Sequence, residues 1–584
     1  MNTGMIILLC VSAVVILILL IFNMNSGNLN RIKAKKVGDG QHGTARWATP
    51  KEISDAFRVV SFRPDQWRVG KHMPTVDGLI IDKIQRGGKI YARVDTTDSH
   101  TLILSTTGGG KTTYFLYPNM EYACAAGMSF LVTDTKGDVF RDYATIAQKY
   151  YGYHPYVIDL RQPMQSDSYN LIHLVNKYYD LYNSTNNITY QAKAERYAKI
   201  TAKTIVRLKG FDGGGQNAFF YDSAEGVIAA VILLIAEFCT AGQRHIVSVF
   251  KIVQELMQVD PTTAKNKESI PQTYLQVLLN KLPANHKAKW LAGAAANSPL
   301  QSMASVMSTA MSRLLSFIDS ELEQIICFNS NIDAERFCTE KTAIFIVFPE
   351  NDAPKHFIVS LFIKQLYNEV IEWANNSINN KLDKRVYFFL DEYGTMTKFE
   401  DAEMMFSAGR SRGIFQVPMI QSLSQLEKNY GKDGAEIIED CCQNILFGGL
   451  SPLCSSAEKL SQSLGNQTIM SGSISHNFNH SRLSSGTSYQ MIKRPLMTAD
   501  ELKNMEKGKW ILEKTGFHPM QTTMDRFERW KIQMDDPYTL KTSAVQTVYY
   551  ATRAELFENV QKKYGYTYTS IYEKKKELSN EYLY

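Results

Sequence analysis

The sequence predicts an α/β fold. A parallel sheet carries a phosphate-binding loop, an all-α domain interrupts the sheet domain, and one transmembrane helix precedes the whole. Three observations point there. Apolar runs of strand length recur at helix-length intervals on both sides of a long helical stretch. One of those runs leads straight into the glycine-rich segment "STTGGGKTT", Ser105 to Thr113. The chain also opens with 18 consecutive uncharged residues, Met5 to Phe22.

That opening run decides the address. At about 1.5 Å per residue it reaches roughly 27 Å, near the thickness of a bilayer core. No Lys or Arg precedes it and no small-x-small cleavage site follows, which argues against a secretory signal. Arg31, Lys33, Lys35 and Lys36 come next. Positive residues stay cytoplasmic, so the N-terminus is expected outside and the body inside. Residues 1–30 thus read as a cell-membrane anchor with a span over 5–22. The apolar stretch Val227 to Phe238 is only 12 residues long and reads as a buried helix of the body.

Residues 31–98 form a juxtamembrane lead-in. Thr49, Pro50 and Glu52 sit at N-cap, first and third positions of an expected helix. Lys89 to Arg93 alternates like a strand. Residues 99–175 carry "TLILS", "MSFLVTD" and "YVIDL", unbroken apolar runs suited to strands buried on both faces. Across 176–335 the apolar spacing turns helical, as in "DSAEGVIAAVILLIAEF" and "MASVMSTAMSRLLSFI". Strand texture returns over 336–540 with "TAIFIVF", "RVYFFLDE", "FQVPMIQ" and "NILFGGL". The Ser-rich stretch Ser471 to Ser488 reads as a mobile loop. Residues 541–584 form a tail in which Tyr572 to Leu578 reads as a solvated helix.

Composition narrows the class. The chain has 584 residues, 44% hydrophobic and 21% charged, so most of it folds into sizeable cores. The net charge of +6 neither demands nor excludes a nucleic-acid partner. Eight cysteines are scattered with no Cys-x-x-Cys pair, which reads as reduced thiols in a cytosolic setting with no zinc or redox centre.

The chemistry concentrates in four short segments. A strand, a glycine turn and a helix form the setting that points backbone N–H groups at a phosphate. Thr107, Gly108, Gly109, Gly110, Lys111, Thr112 and Thr113 would line it, Lys111 reaching the β- and γ-phosphates and Thr112 holding Mg²⁺. Ser105 stands where the usual pattern has a first glycine; it is expected to end the strand without touching phosphate. Asp391 and Glu392 follow the apolar strand "VYFFL", at the ligand edge of an open α/β sheet. Asp391 reads as the metal carboxylate and Glu392 as the base for the attacking water. Gln421 ends the next strand, on the same edge, and reads as a γ-phosphate sensor. Arg410, in "SAGRSRGI", is the candidate arginine supplied across a subunit boundary.

Taken in order, "STTGGGKT", "FLVTDTKGDVF", "FFLDEYG", "AGRSRGI" and "IQSLSQLEKNYG" resemble the type IV coupling proteins of bacterial conjugation. "GTARWAT" is similar to members from Gram-positive mobile elements. The resemblance spans roughly residues 40–530. It implies a RecA-like ATPase using ATP and Mg²⁺, an inserted all-α domain and a membrane-tethered homo-hexamer. It also implies single-stranded DNA with attached relaxase, relaxosome proteins and type IV secretion channel components as partners. Lys111, Thr112, Asp391, Glu392, Arg410 and Gln421 match the family's motif positions. Two departures stand out: Ser105, and "TDTKGD", where Thr135 and Asp138 replace a proline and a glutamate. Many members carry two membrane helices, and one is visible here. Two other readings share the motor: an ATP-switched docking receptor for relaxosome proteins, and a double-stranded DNA translocase of the chromosome-segregation type.

Overall fold

The computed structural model describes residues 11–17, 35–36, 40–207, 215–263, 271–398, 402–479, 482–540 and 544–565. Residues 11–17 are helical and exposed. The rest of the Met5–Phe22 run and all of Tyr572–Leu578 lie outside the described residues.

The strands in chain order are β1 (Arg58–Ser61), β2 (Leu79–Arg86), β3 (Lys89–Asp95), β4 (Thr101–Leu104), β5 (Ser129–Asp134), β6 (His154–Asp159) and β7 (Thr342–Val347). There follow β8 (Val386–Leu390), β9 (Ile414–Ile420), β10 (Asn444–Phe447), β11 (Asn466–Asn479), β12 (Arg482–Pro495), β13 (Lys509–Lys514) and β14 (Phe517–Thr523). Nine of them form one sheet in the order β14-β13-β10-β4-β9-β8-β5-β7-β6. From β10 to β6 every neighbouring pair is parallel. β13 and β14 close one edge antiparallel. The run β4, β5, β7, β8 and β9 is buried on both faces, which is why these strands read as continuous apolar sequence rather than alternation.

The parallel order puts the C-terminal ends of β4, β9, β8 and β5 along one edge. In register, Leu104 faces Ile420 and Leu390 faces Pro418. Whatever follows these strands shares one crevice.

Between β6 and β7 the described chain is helical. The principal helices are His173–Thr185, Ile188–Val206, Ala218–Phe238, Ile246–Leu256 and Leu300–Leu314. β6 and β7 nevertheless pair directly, Tyr156 with Ile344, so the helical block leaves and re-enters the sheet at adjacent strands. Ala218–Phe238 is the one described helix long and apolar enough to cross a membrane, yet 61% of its most apolar stretch is buried in protein. It is the spine of the helical block. Helix Lys287–Leu291 packs on it so closely that a Cβ on Gly226 would strike the Leu291 carbonyl.

Strands β1, β3 and β2 form a small antiparallel sheet ahead of the nine-stranded sheet. Its lead-in helix, Pro50–Ala56, starts with a capping box between Thr49 and Glu52, and Arg46 pairs with Glu52 in addition. Phe62, Trp67 and Trp530 stack edge to face beneath it. Arg68 reaches into the sheet domain and meets buried Glu121 at 2.7 Å. Glu121 also accepts the Tyr143 and Tyr151 hydroxyls, so all its partners are in place.

One segment differs from the sequence reading. The Ser-rich stretch is not a loop: β11 and β12 make a long antiparallel hairpin, paired from Asn466↔Pro495 to Asn479↔Arg482. Its ladder satisfies the backbone, and the Ser-rich sequence between its ends carries no regular apolar alternation, so hydropathy gave no strand signal. Within the tail, residues 551–565 pack back on the protein. Ala551, Leu556 and Val560 are fully buried against the helical block. Lys563 and Tyr564 both reach Glu237 there, at 2.8 and 2.9 Å.

Candidate nucleotide site

The glycine loop is built from below. The Ser105 N–H donates to the Ile420 carbonyl at 3.0 Å, keeping the chain in register with β9. The Ser105 side chain then turns under the loop, where it is fully buried and its hydroxyl has no partner among the described residues. Gly109 passes directly above it; a Cβ there would collide with Ser105 Oγ. Ser105 is thus the floor on which the loop rests. Gly110 has φ of 101°, and a Cβ at that position would strike the Tyr114 ring. A second brace comes from the turn after β10: Gly449 O accepts from Thr106 N at 3.3 Å and Thr106 Oγ1 at 2.7 Å.

The helix after the loop begins as a wide π turn, Lys111–Leu116, and becomes regular over Tyr117–Ala126. Pro118 accounts for the widening, because its ring clashes with the carbonyl one regular turn back and it supplies no N–H. The turn leaves Lys111 buried, with Nζ donating to Ser105 O at 3.2 Å and lying 3.4 Å from Glu392 Oε1. Thr112 and Thr113 are half-buried at the helix start, and Thr107 and Gly108 are exposed at the lip.

Asp391 and Glu392 leave β8 at the same edge. The Asp391 carbonyl accepts the Thr133 hydroxyl at 2.8 Å, tying the ends of β8 and β5. Glu392 has φ of 54°, in the left-handed region where a residue with a Cβ costs about 1–3 kcal/mol. The Thr395 N–H and hydroxyl both donate to its carbonyl, at 2.9 Å, and hold that turn. The strained backbone aims the carboxylate back across the crevice, where Gln421 Nε2 donates to Glu392 Oε2 at 2.9 Å. Gln421 is itself fixed, its N–H donating to Gln425 Oε1 at 2.9 Å. Lys111, Glu392 and Gln421 therefore form one relay across three strand ends.

Burial pushes the Asp391 carboxyl up to about 6, the charges of Glu392 and Asp134 adding to the effect and Lys111 opposing it. The Thr112 hydroxyl, at the start of the helix after the loop, makes no hydrogen bond among the described residues. A carboxylate that resists ionising alone and a spare hydroxyl are hard oxygen donors that suit Mg²⁺.

Arg410 lies elsewhere. It is exposed in the turn Arg410–Arg412 that precedes β9, at the sheet edge opposite the loop. Nearby His100 is buried, accepts the Gln416 N–H on Nδ1 and donates from Nε2 to Phe406 O. Burial, with Arg410 acting in the same direction, lowers it to about 4. The structure brings Lys111, Asp391, Glu392 and Gln421 together and leaves Arg410 outside their reach in the same chain. Asp134, given no role by the sequence, accepts the N–H groups of Lys136, Gly137 and Phe140 and so starts helix Asp138–Tyr151. Sequence reasoning missed the Ser105 floor, the Gly449 brace and Thr133. Only the brace had a signal, the paired glycines after "NILF".

Residues 53–573 match the family described as Type IV secretory system Conjugative DNA transfer. Two Escherichia coli proteins named Conjugal transfer protein TraG are 23% and 24% identical over 497 and 500 residues, covering 80% and 81% of this chain and 72% of each relative. Among solved structures, the bacterial conjugative coupling protein TrwBdeltaN70 superposes with a TM-score of 0.53 at 14% identity, covering 86% of this chain and 98% of its own. TrwB in complex with the ATP analogue ADPNP gives 0.53 at 12% identity, covering 87% and 100%. TrwB with ADP and Mg²⁺ gives 0.51 at 13% identity, covering 85% and 98%. The fold is that of TrwB, and the chain belongs to the Type IV secretory system Conjugative DNA transfer family.

Proposed function

We propose that this chain is a membrane-anchored ATPase, working as a homo-hexamer. It couples a relaxase-bound single strand of DNA to a type IV secretion channel and powers its transfer. The observation that carries this reading is the Lys111–Glu392–Gln421 relay, at the C-terminal edge of a parallel sheet with Asp391 beside it. The DNA-transfer family supplies the substrate class. Related TrwB structures hold ADPNP, or ADP with Mg²⁺, which supports ATP and Mg²⁺ as the ligands of this site. Residues 99–175 and 336–540 are read as the RecA-like motor, 176–335 as its inserted domain, and Met5–Phe22 as the anchor with the body cytoplasmic.

In this reading the N–H groups of Thr107–Thr113 cradle the phosphates, and the Lys111 ammonium swings from Glu392 to the β- and γ-oxygens. Thr112 and Asp391 would hold Mg²⁺, which neutralises phosphate charge. Freed from Lys111, Glu392 takes the proton of the attacking water, while Gln421 Nε2 keeps its carboxylate oriented. Arg410 is offered from the opposite sheet edge to the site of a neighbouring copy.

The test is ATP turnover by the full-length protein in detergent, with and without single-stranded DNA. Turnover raised by DNA and abolished by Lys111→Ala supports the motor. Tight ATP binding with negligible turnover under both conditions would support the docking receptor instead.

A further inference from the structure

Trp290 is an exposed tryptophan held still. Its side chain sits on helix Lys287–Leu291 and is 58% exposed. The indole N–H donates to Ala284 O at 2.8 Å, and the Lys287 ammonium stands 3.9 Å from the ring centroid. The helix beneath it is fixed as well. His286 Nδ1 accepts the Ala288 N–H at 3.2 Å, so Nε2 carries the proton and donates to Glu237 at 3.0 Å. Glu237 is buried and already engaged by Lys563 and Tyr564. Ordering an indole in this way and leaving it in water serves no packing purpose on the described chain.

The surroundings are cationic. Lys287, Lys199 and His286 all act on Glu195, which stands on the neighbouring helix Ile188–Val206. Lys199 is exposed and Lys289 half-buried, and neither makes an ion pair among the described residues. On the other side of His286, the docked C-terminal segment adds Lys562 and Lys563, which line a cleft of about 320 Å³ with Glu237 and Asn559. Glu237 is paired with His286 and Lys563, Asp222 and Glu225 on the same helix are paired with Arg207, and Glu195 is faced by Lys287, Lys199 and His286, so the lysines beside the ring have few carboxylates to themselves.

We propose that Trp290 and the lysines around it bind unpaired DNA on the helical block, one base stacking on the indole and the lysines meeting the flanking phosphates. This deepens the DNA-transfer reading and rests on it. Stacking needs a free base face, which a single strand offers and a duplex conceals. Charge complementarity selects the polyanion, and the fixed ring selects its bases.

The probe is a fluorescein-labelled dT12 oligonucleotide titrated into the full-length protein by anisotropy. Trp290→Ala is expected to weaken binding about tenfold and Trp290→Phe less, as loss of one stacked base predicts. Lys287→Gln with Lys289→Gln should flatten the dependence of log K on log salt by about 1.4, two phosphate contacts on a single strand. Quenching of intrinsic fluorescence by unlabelled dT12 should disappear in Trp290→Phe. Unchanged dT12 affinity in both Trp290 variants would overturn the proposal. So would equal competition by a duplex, displacement by polyglutamate but not by DNA, or a change in native mass in Trp290→Ala, which would mark the face as a contact between copies. ATP turnover without DNA is measured alongside. Its absence with dT12 binding intact would count against the motor and leave this site standing.

Discussion

Glu392 Oε1 lies 3.4 Å from the Lys111 ammonium while Glu392 Oε2 accepts the Gln421 amide at 2.9 Å. The residue read as the base is thus engaged on both oxygens, one of them by the group that must leave to meet phosphate. Gln421→Ala should lower kcat about 10- to 100-fold with KM changed less than about threefold, because the amide orients the base and does not hold the nucleotide. Glu392→Gln should abolish turnover yet bind a fluorescent ATP analogue at least as tightly, since Lys111 loses its counter-charge. Steady-state kinetics and equilibrium titration read both.

Asp391 gives a pH signature. Its carboxyl is held near 6 against an ordinary value of 3.8, so in the nucleotide-free protein it keeps its proton until pH rises through about 6. Mg²⁺ must displace that proton. The apparent Mg²⁺ affinity should fall about tenfold per unit below pH 6 and be flat above 7, read by Mg²⁺ titration at fixed nucleotide. The sign for stability is the reverse of a salt-bridged carboxylate: the fold favours the neutral acid, so stability is lost as pH rises from about 4 to about 6 and is flat above that. Asp391→Asn should raise stability at pH 7.5 by about 1 kcal/mol while turnover is lost.

The loop floor can be tested by a pair of substitutions. Gly109→Ala drives a methyl into Ser105 Oγ, and nucleotide binding should weaken at least about tenfold. Adding Ser105→Gly removes that collision and should restore part of the affinity, with the nearby Thr106 and Gly449 carbonyls limiting the rescue. Ser105→Gly alone should leave ATP affinity within about threefold, because the hydroxyl points away from the crevice. Isothermal titration of all three variants closes the cycle.

Glu121 carries the attachment of the N-terminal sheet. Glu121→Ala takes the carboxylate from Arg68, which keeps its bond to the Gln533 carbonyl, and leaves the Tyr143 and Tyr151 hydroxyls without an acceptor, and should cost about 3–5 kcal/mol. Denaturant midpoints of the wild type and variant measure it. Turnover per folded molecule should change little.

The relay was legible because its parts sit at strand ends. "TLILS", "VYFFLDE" and "FQVPMIQ" announce buried parallel strands, and parallel strands share one functional edge. Ser105 was legible only as a departure; its meaning depends on Gly109 crossing above it, a contact no spacing encodes. β11 and β12 carry no sequence signal because backbone pairing needs no apolar period, and their Ser-rich stretch has none. β13 and β14 turn at Thr515–Gly516 and were passed over inside a charged stretch. The seating of residues 551–565 on the helical block was equally hidden, since Glu237 and Lys563 are 326 positions apart.

That last contact changes how the inserted block is mounted. A domain entered and left through two adjacent strands hangs like a door on one hinge line. Here the chain returns a third time, from the far side of the sheet, and pins the block through Ala551, Leu556 and Val560. Three points define a plane. A block held at three points is displaced as a braced plate, where one held along a single edge would swing.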